Sequence, residues 1–453
     1  MDRSQFFERF AGWFDPARII ALARQTGWLI RQGKIDAFEF FVGLVFGQMS
    51  SLGLSLRAHA ACFSEPVQRE AVHQRYHERA VEFFRAGFRE CLAQSLAQSP
   101  APSLTEALAA QFPAIHLVDS TSFDCPESLA EVFPGCGGDA SAANCKVLLR
   151  YEYCRGQFEP LTLVPGKRSD PGLAAALPAL LQAGELLLVD KGFLKLEVLQ
   201  EIDEQGAYFL MPLARSLSLW LAPAQGSRLA LNLAEALGHT EQAVVCWPEV
   251  YLGKANEAQA VRVVAFRLSQ ESASRQRAAL REAQRKQGRL PTAEALELAG
   301  WLILITNASA DQLPTKAMSY LYRVRWQIEL VFKQCKSVLR LHVTQARDNA
   351  CRVQCEIWAR LIAAVVLFAW HAHLQAACWA QRQREISFAQ VARQLQPNGL
   401  SLALALIQGG QRLREELWRL WRHLLHTTRK GRQRTRKTTW ETLYDYWLKP
   451  ART

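Results

Sequence analysis

Paired CxxC spacings are missing from the chain, although it holds 11 cysteines. An odd number of scattered thiols argues against a disulfide framework and against a zinc ribbon, and for reduced cysteines. Cys351 and Cys355, and likewise His73 and His77, lie one helical turn apart and read as helix-face residues rather than metal ligands. Long apolar runs are missing too. The longest, LIAAVVLFAW from Leu361 to Trp370, is about half of the roughly 20 residues a membrane span needs, and it reads as a buried helix. The opening MDRSQFFERFAGWF lacks the basic start, apolar stretch and small-residue cleavage site of an export signal, so a cytoplasmic protein without a membrane partner is expected. No internal repeat stands out.

Negative charge is in short supply, with 42 Asp and Glu against 54 Lys and Arg, a net charge of +12 and a pI near 9.3. Such an excess favours a polyanionic partner, because neutralising phosphates releases condensed counterions. Nucleic acid is therefore favoured over a membrane surface. The hydrophobic share of 49% with 21% charged residues excludes a disordered or fibrous chain. At 453 residues the chain suits roughly two to four packed units.

Residues 1–105 carry helical periodicity, as in FEFFVGLVFGQM and YHERAVEFFRAGF, and are expected to form a helical DNA-binding domain. Within them, SLRAHAACFSEPVQREAVHQRYHERA has the rhythm of helix, turn and a second helix bearing Gln68, Arg69, His73, Arg75 and Arg79. It suits either a helix-turn-helix reader, with Arg75 at DNA, or an amphipathic helix with a solvated basic face. After the linker LAQSPAPSLTEAL, residues 106–214 run strand (AIHLVDST), strand (CKVLLRYEY), strand (FEPLTLVPG), helix (PGLAAALPALLQA), strand (ELLLVDKG), helix (FLKLEVLQEIDEQG) and strand (AYFLMPL). This order predicts an α/β mixed sheet with flanking helices and resembles a ribonuclease-H-like core. Residues 215–300 read as a β-rich insertion with a basic helical arm. Residues 301–376 resume the core with WLILITN and one long helix from QLPTKAMSYLYRVRWQ onward, and 377–453 form a helical, basic C-terminal domain. There, six basic residues crowd the nine from Arg429 to Lys437, with Arg432 and Arg434 expected at phosphate.

Asp119 and Asp190 each follow four apolar residues at the expected end of a strand, where open α/β sheets place their ligands. Either one alone would be an ordinary turn or cap residue. The third carboxylate, Glu329, belongs to the long helix. At about 100° per residue, Tyr322, Arg325, Glu329, Phe332 and Lys336 share one face. Leu321, Val324, Ile328, Val331, Cys335 and Leu339 fill the adjoining apolar stripe. From composition alone, this polar face would be a surface ion-pair network.

The spacing Tyr322, Arg325, Glu329, Lys336 is a complete Tyr-Arg-Glu-Lys signature, and RWQIELVFKQCK around it resembles bacterial insertion-sequence transposases of the insertion-sequence-4 type. DSTSFDCPESLAEVFPG around Asp119 and LLLVDKGF around Asp190 look like the two other family blocks, so the resemblance spans roughly residues 115–375. It implies a ribonuclease-H-like core with an Asp119, Asp190, Glu329 triad that holds two Mg²⁺ ions, or Mn²⁺ in their place. It also implies DNA contacts from Tyr322, Arg325, Lys333 and Lys336. Relatives with the long interval from the second Asp to the Glu carry a β-strand insertion, and some place a Trp upstream of the Glu that stacks on a flipped base. Trp301 is the counterpart here, with burial at the start of a strand as the other reading.

The activity that the resemblance implies is cut-and-paste transposition: binding of terminal inverted repeats, nicking, passage through a hairpin, and strand transfer into target DNA by a synaptic homodimer. Oxygen-only ligands suit Mg²⁺ or Mn²⁺ rather than zinc. Two alternatives are a non-mobile DNA endonuclease on the same fold and a non-catalytic DNA-binding regulator. The terminal-repeat sequence and target preference are properties of the DNA partner.

Overall fold

The computed structural model describes residues 3–31, 33–49, 53–97, 111–136, 141–154, 157–214, 217–221, 228–253, 259–325, 340, 343–346, 349–382 and 384–429. Their strands, in chain order, are β1 (Ile115–Asp124), β2 (Asn144–Glu152), β3 (Gln157–Pro165), β4 (Leu186–Leu188), β5 (Tyr208–Pro212), β6 (Leu219–Leu221), β7 (Leu229–Ala230), β8 (Val244–Leu252), β9 (Gln259–Arg267) and β10 (Trp301–Thr306). The chain divides into two compact units. One holds Met1–Glu106, Ser120–Arg168 and Ile328–Arg436, and the other Ala107–Asp119, Ser169–Gln327 and Lys437–Thr453.

The second unit is built on a sheet. Its strand order is β1, β4, β5, β10, β9, β8, β6, β7. β1 and β4 are parallel, as are β4 and β5, which is why their sequences read as unbroken apolar runs buried on both faces. β10 runs antiparallel to both β5 and β9. β8 and β9 are antiparallel, and β6 pairs β8 and β7 the same way. Leaving β9, Ser269 caps the basic helix Gln270–Lys286 by accepting from the Ser272 amide.

The first unit is mainly helical. Its spine, the helix Ala350–Arg382, packs against the helix Glu78–Ala97 and against β3 of the β2–β3 hairpin. This 33-residue helix is long and apolar enough to cross a membrane, yet 72% of its most apolar stretch is buried inside the protein. Leu361 through Trp370 are all buried, the environment expected of a core helix. An aromatic cluster closes around its middle: the Phe6 ring lies 4.9 Å from Trp370, and Phe14 lies 4.9 Å from Phe46. Asp36 starts the helix Ala37–Gly47 by accepting from the amides of Phe38 (2.8 Å) and Glu39 (3.0 Å). Every residue of that helix is buried, as an all-round apolar sequence requires.

Two elements differ from expectation. The single helix foreseen over residues 171–183 is a short helix, Asp170–Ala174, and a 3₁₀ turn, Pro178–Leu180. Pro178 has no amide proton, and its ring clashes with a preceding helical carbonyl. The helix expected from Gln68 to Arg79 is also two, Arg69–Gln74 and one that begins at Glu78. Between them Trp28 Nε1 donates to the Arg75 carbonyl at 3.2 Å. Tyr76 turns inward to a 2.8 Å hydrogen bond between its hydroxyl and His59 Nδ1. Tertiary contacts thus take over groups that a continuous helix would use itself.

Candidate active site

β1 and β4 pair in parallel with Ile115 beside Leu186, His116 beside Leu187 and Leu117 beside Leu188. Asp119 and Asp190 each follow two residues after the last pair of this register, Leu117 and Leu188. Side chains alternate with period two along extended backbone. Asp119 therefore leaves the sheet on the face of Leu117, and Asp190 on the face of Leu188. Asp190 keeps extended angles (φ −81°, ψ 160°), so the alternation carries through it. Both aspartates are half-buried. The chain then turns away from Asp190 in a 3₁₀ turn, with the Phe193 amide donating to the Asp190 carbonyl at 3.1 Å.

Asp119 was expected to close its strand, but β1 continues to Asp124. The pairing with β4 is what ends near Asp119, and that opens the edge where both aspartates emerge. Toward the other end of the strand pair, buried His116 Nε2 meets half-buried Glu185 Oε2 at 3.0 Å. Glu185 also accepts from the Gln182 amide at 2.9 Å, which anchors the loop that leads into β4.

Tyr322 and Arg325 lie on and just past the helix Thr315–Val324. Arg325 Nε donates to the Tyr322 hydroxyl at 3.1 Å, and its guanidinium carbon sits 5.4 Å from the tyrosine ring centre. The pair is half-buried, and each side chain limits the other's rotamers. Glu329, Lys333 and Lys336 on the continuation of this sequence, and Arg432 and Arg434 near the C-terminus, lie outside the described residues. Trp301 opens β10 with 4% of its surface exposed, and the Arg267 guanidinium lies 4.4 Å from its ring centre. Arg267 faces Trp301 across the β9–β10 pairing and donates to the carbonyls of Thr240 and Gln242. In the other unit, Arg75 is half-buried with its guanidinium 5.3 Å from the Trp28 ring.

Among the described residues no group of three or more His, Cys, Asp or Glu could hold a metal ion. The described part of the expected ligand set is two carboxylates, and its chemistry fits a hard cation with oxygen ligands. The described cysteines are free thiols, most of them buried, and burial pushes Cys91 up to about 12 and Cys62 up to about 11. Thiols held protonated in this way are poor nucleophiles. Sequence reasoning passed over Arg262, which is buried in β9. Its signal was a single charge in the apolar alternation AVRVVAF.

The chain spans nearly the whole of some characterised relatives. It is 26% identical over 97% of its length to the transposase for insertion sequence element IS231B from Bacillus thuringiensis subsp. berliner, of which 96% is covered. It is 26% identical over 77% of its length to the transposase for insertion sequence element IS1151 from Clostridium perfringens, again with 77% of that chain covered. Among solved structures, a chain of the piggyBac transposase synaptic complex with hairpin DNA aligns with 96% of this chain and 87% of its own length, at 10% identity and a TM-score of 0.43. Residues 110–366 match the transposase DDE domain, more than half of the chain and inclusive of Asp119 and Asp190, and the protein belongs to that family.

Proposed function

We propose that the protein is an insertion-sequence transposase of the Tyr-Arg-Glu-Lys type that moves its element by cut-and-paste. In this reading the core is ribonuclease-H-like, and Asp119, Asp190 and Glu329 form the metal-binding triad. The observation that supports the proposal is the parallel pairing of β1 with β4, each of which leads within two residues of its last pair to one of the aspartates. The parallel strands β1, β4 and β5 of the second unit, with the first two leading into the aspartates, support the same reading.

Asp119 and Asp190 offer paired carboxylate oxygens on one face of the sheet, and Glu329 adds a third carboxylate from the helix sequence. Bound divalent cations, Mg²⁺ or Mn²⁺, supply an activated oxygen nucleophile and take up charge on the leaving oxygen. Arg325 presents its guanidinium to a phosphate near the scissile bond, and the Tyr322 hydroxyl holds that guanidinium in place before DNA arrives. Lys333 and Lys336 add point charges to the same grip. Water attacks the phosphodiester to free a 3′-hydroxyl. That hydroxyl then attacks the opposite strand, leaving a hairpin, or attacks target DNA in strand transfer. Two copies hold the two element ends. Trp301 presents its ring to a base once Arg267 has left it, while Arg75, Arg432 and Arg434 contact the DNA backbone.

The test is end cleavage by the purified protein on labelled DNA that contains the element's terminal inverted repeats, with Mg²⁺ or Mn²⁺. Wild type is expected to nick at the element boundary. Asp190→Asn should reduce nicking by roughly three orders of magnitude or more while it still shifts the DNA on a gel. Cleavage by Asp190→Asn at the wild-type rate would remove Asp190 from the triad.

A further inference from the structure

Arg262 sits in the middle of β9, opposite Thr306 of β10, with 5% of its surface exposed. Its Nη2 donates to the carbonyl of Leu313. Nε and Nη1 are buried and have no hydrogen-bond partner among the described residues. Burial pushes its pKa down. A buried guanidinium with one neutral acceptor stabilises a fold poorly, because the desolvation of the charge is not repaid. A methionine of similar length would fill the same space without that cost. The guanidinium, not the volume, therefore needs an explanation.

Its one acceptor stands at a sensitive place. Leu313 precedes Pro314, which begins the helix Thr315–Val324 without any side-chain cap. The connection from β10 to that helix is fastened at its near end by Asn307. That side chain accepts from the Phe209 amide (2.9 Å) and donates to Asp203 Oδ1 (2.8 Å) and the Ala207 carbonyl (2.8 Å). At its far end Arg262 takes the Leu313 carbonyl, while Leu313, Ala317, Met318 and Leu321 are fully buried. A shift at Leu313 would be carried along the helix to Tyr322 and Arg325, because a helix moves as a rigid rod over two or three turns.

We infer that Arg262 is a positioning residue, which holds the start of the helix Thr315–Val324 through the Leu313 carbonyl and thereby sets where Tyr322 and Arg325 meet DNA. The link runs from a strand of the β-rich insertion to the helix of the phosphate grip. Its consequence for cleavage rests on the transposase mechanism proposed above, but its structural part does not.

The test uses full-length protein with Arg262→Met and Arg262→Lys. Hydrogen exchange of the amides from Met318 to Val324 is expected to speed up about tenfold or more in R262M, with a melting temperature no lower than wild type. In R262K the ammonium still reaches the Leu313 carbonyl, and most of the protection should return. On end DNA, R262M should lower kcat for nicking about tenfold and leave KM within about twofold, the pattern of lost transition-state positioning. Unchanged exchange in R262M overturns the inference whether or not the wild type cuts DNA. Faster exchange with wild-type kcat overturns the positioning role. If R262M does not fold, Arg262→Gln, too short to reach the same carbonyl, carries both comparisons. If wild type cuts no end DNA with either metal, the transposase mechanism fails, and the exchange measurement still decides the role of Arg262.

Discussion

His59 and His373 are buried in the helical unit, and burial is the main reason that each is held at about 4 instead of the ordinary 6.5. For His59 a hydrogen bond to the Phe40 carbonyl opposes the shift and the nearby charge of Arg352 adds to it. For His373 the Ala369 carbonyl opposes it, and Arg9 and the N-terminus add to it. Both imidazoles are neutral in the folded chain at neutral pH. His59 Nε2 serves Phe40 at 3.0 Å and Nδ1 serves Tyr76 at 2.8 Å, whereas His373 Nδ1 serves Ala369 at 2.8 Å and its Nε2 has no partner. Between pH 6.5 and 4 the unfolded chain binds protons at these sites and the folded chain does not. Stability is therefore fully present above pH 6.5 and is lost as pH falls toward 4. At about 1.4 kcal/mol per pKa unit, each histidine contributes on the order of 3 kcal/mol to that loss. Urea unfolding followed by tryptophan fluorescence at pH 7.5 and 4.5, at fixed ionic strength, measures it. His373→Leu removes one titration, breaks a hydrogen bond within its own helix turn and keeps an apolar side chain against the Phe6 ring, which lies 4.5 Å from the imidazole. It should match wild type at pH 7.5 within about 1 kcal/mol and keep about 3 kcal/mol more than wild type at pH 4.5. Parallel losses in wild type and H373L would refute the argument that burial of this imidazole drives the acid sensitivity.

The same unit offers two further tests. Glu356 is fully buried, pairs with Arg352 at 2.9 Å and accepts from the Gln345 amide at 2.7 Å. Glu356→Ala leaves Arg352 uncompensated and should cost about 3–5 kcal/mol in urea unfolding; a cost under about 1 kcal/mol would mean that the pair is not desolvated. Gly87 faces the Phe41 ring so closely that an added methyl group would overlap it. Gly87→Ala should therefore destabilise by about 1–3 kcal/mol despite a gain of up to about 1 kcal/mol in helix propensity, and a higher melting temperature would show that Phe41 has room to turn.

β4, β5 and β10 were legible because each is a short apolar run flanked by turn residues, and β1 and β9 because apolar residues surround a buried polar side chain, His116 in one and Arg262 in the other. The long helix Ala350–Arg382 was legible for the opposite reason, being apolar well beyond strand length. Reading failed where a distant residue decided the matter. Pro178 could have been weighed against the helix over 171–183 from sequence alone, since its effect is local. The break at Arg75 could not, because it depends on the Trp28 indole and on His59, both far away in the chain. The chain also gave no direct sign of where it divides into two compact units, since β1 contributes to both. Such a division depends on which surfaces pack, not on local pattern.

The candidate site shows the same boundary between local and relational information. That Asp119 and Asp190 end apolar runs is local, but which strands they follow as neighbours is a matter of pairing, and the pairing of Leu117 with Leu188 shows that β1 and β4 are those neighbours. The two arginines of β9 extend the point. Arg267 and Arg262 are five positions apart on an extended strand, so they leave it on opposite faces. One covers the ring of Trp301 at the start of β10, and the other takes the carbonyl that precedes the Tyr322 helix. A base could stack on Trp301 only if Arg267 gave up the ring, and with it the Thr240 and Gln242 carbonyls that fix its position. DNA phosphate is the natural competitor for a guanidinium held by neutral carbonyls, since a charged acceptor binds it about twice as strongly. On the function proposed above, the same strand would then answer DNA on one face and hold the helix of Tyr322 and Arg325 in place on the other.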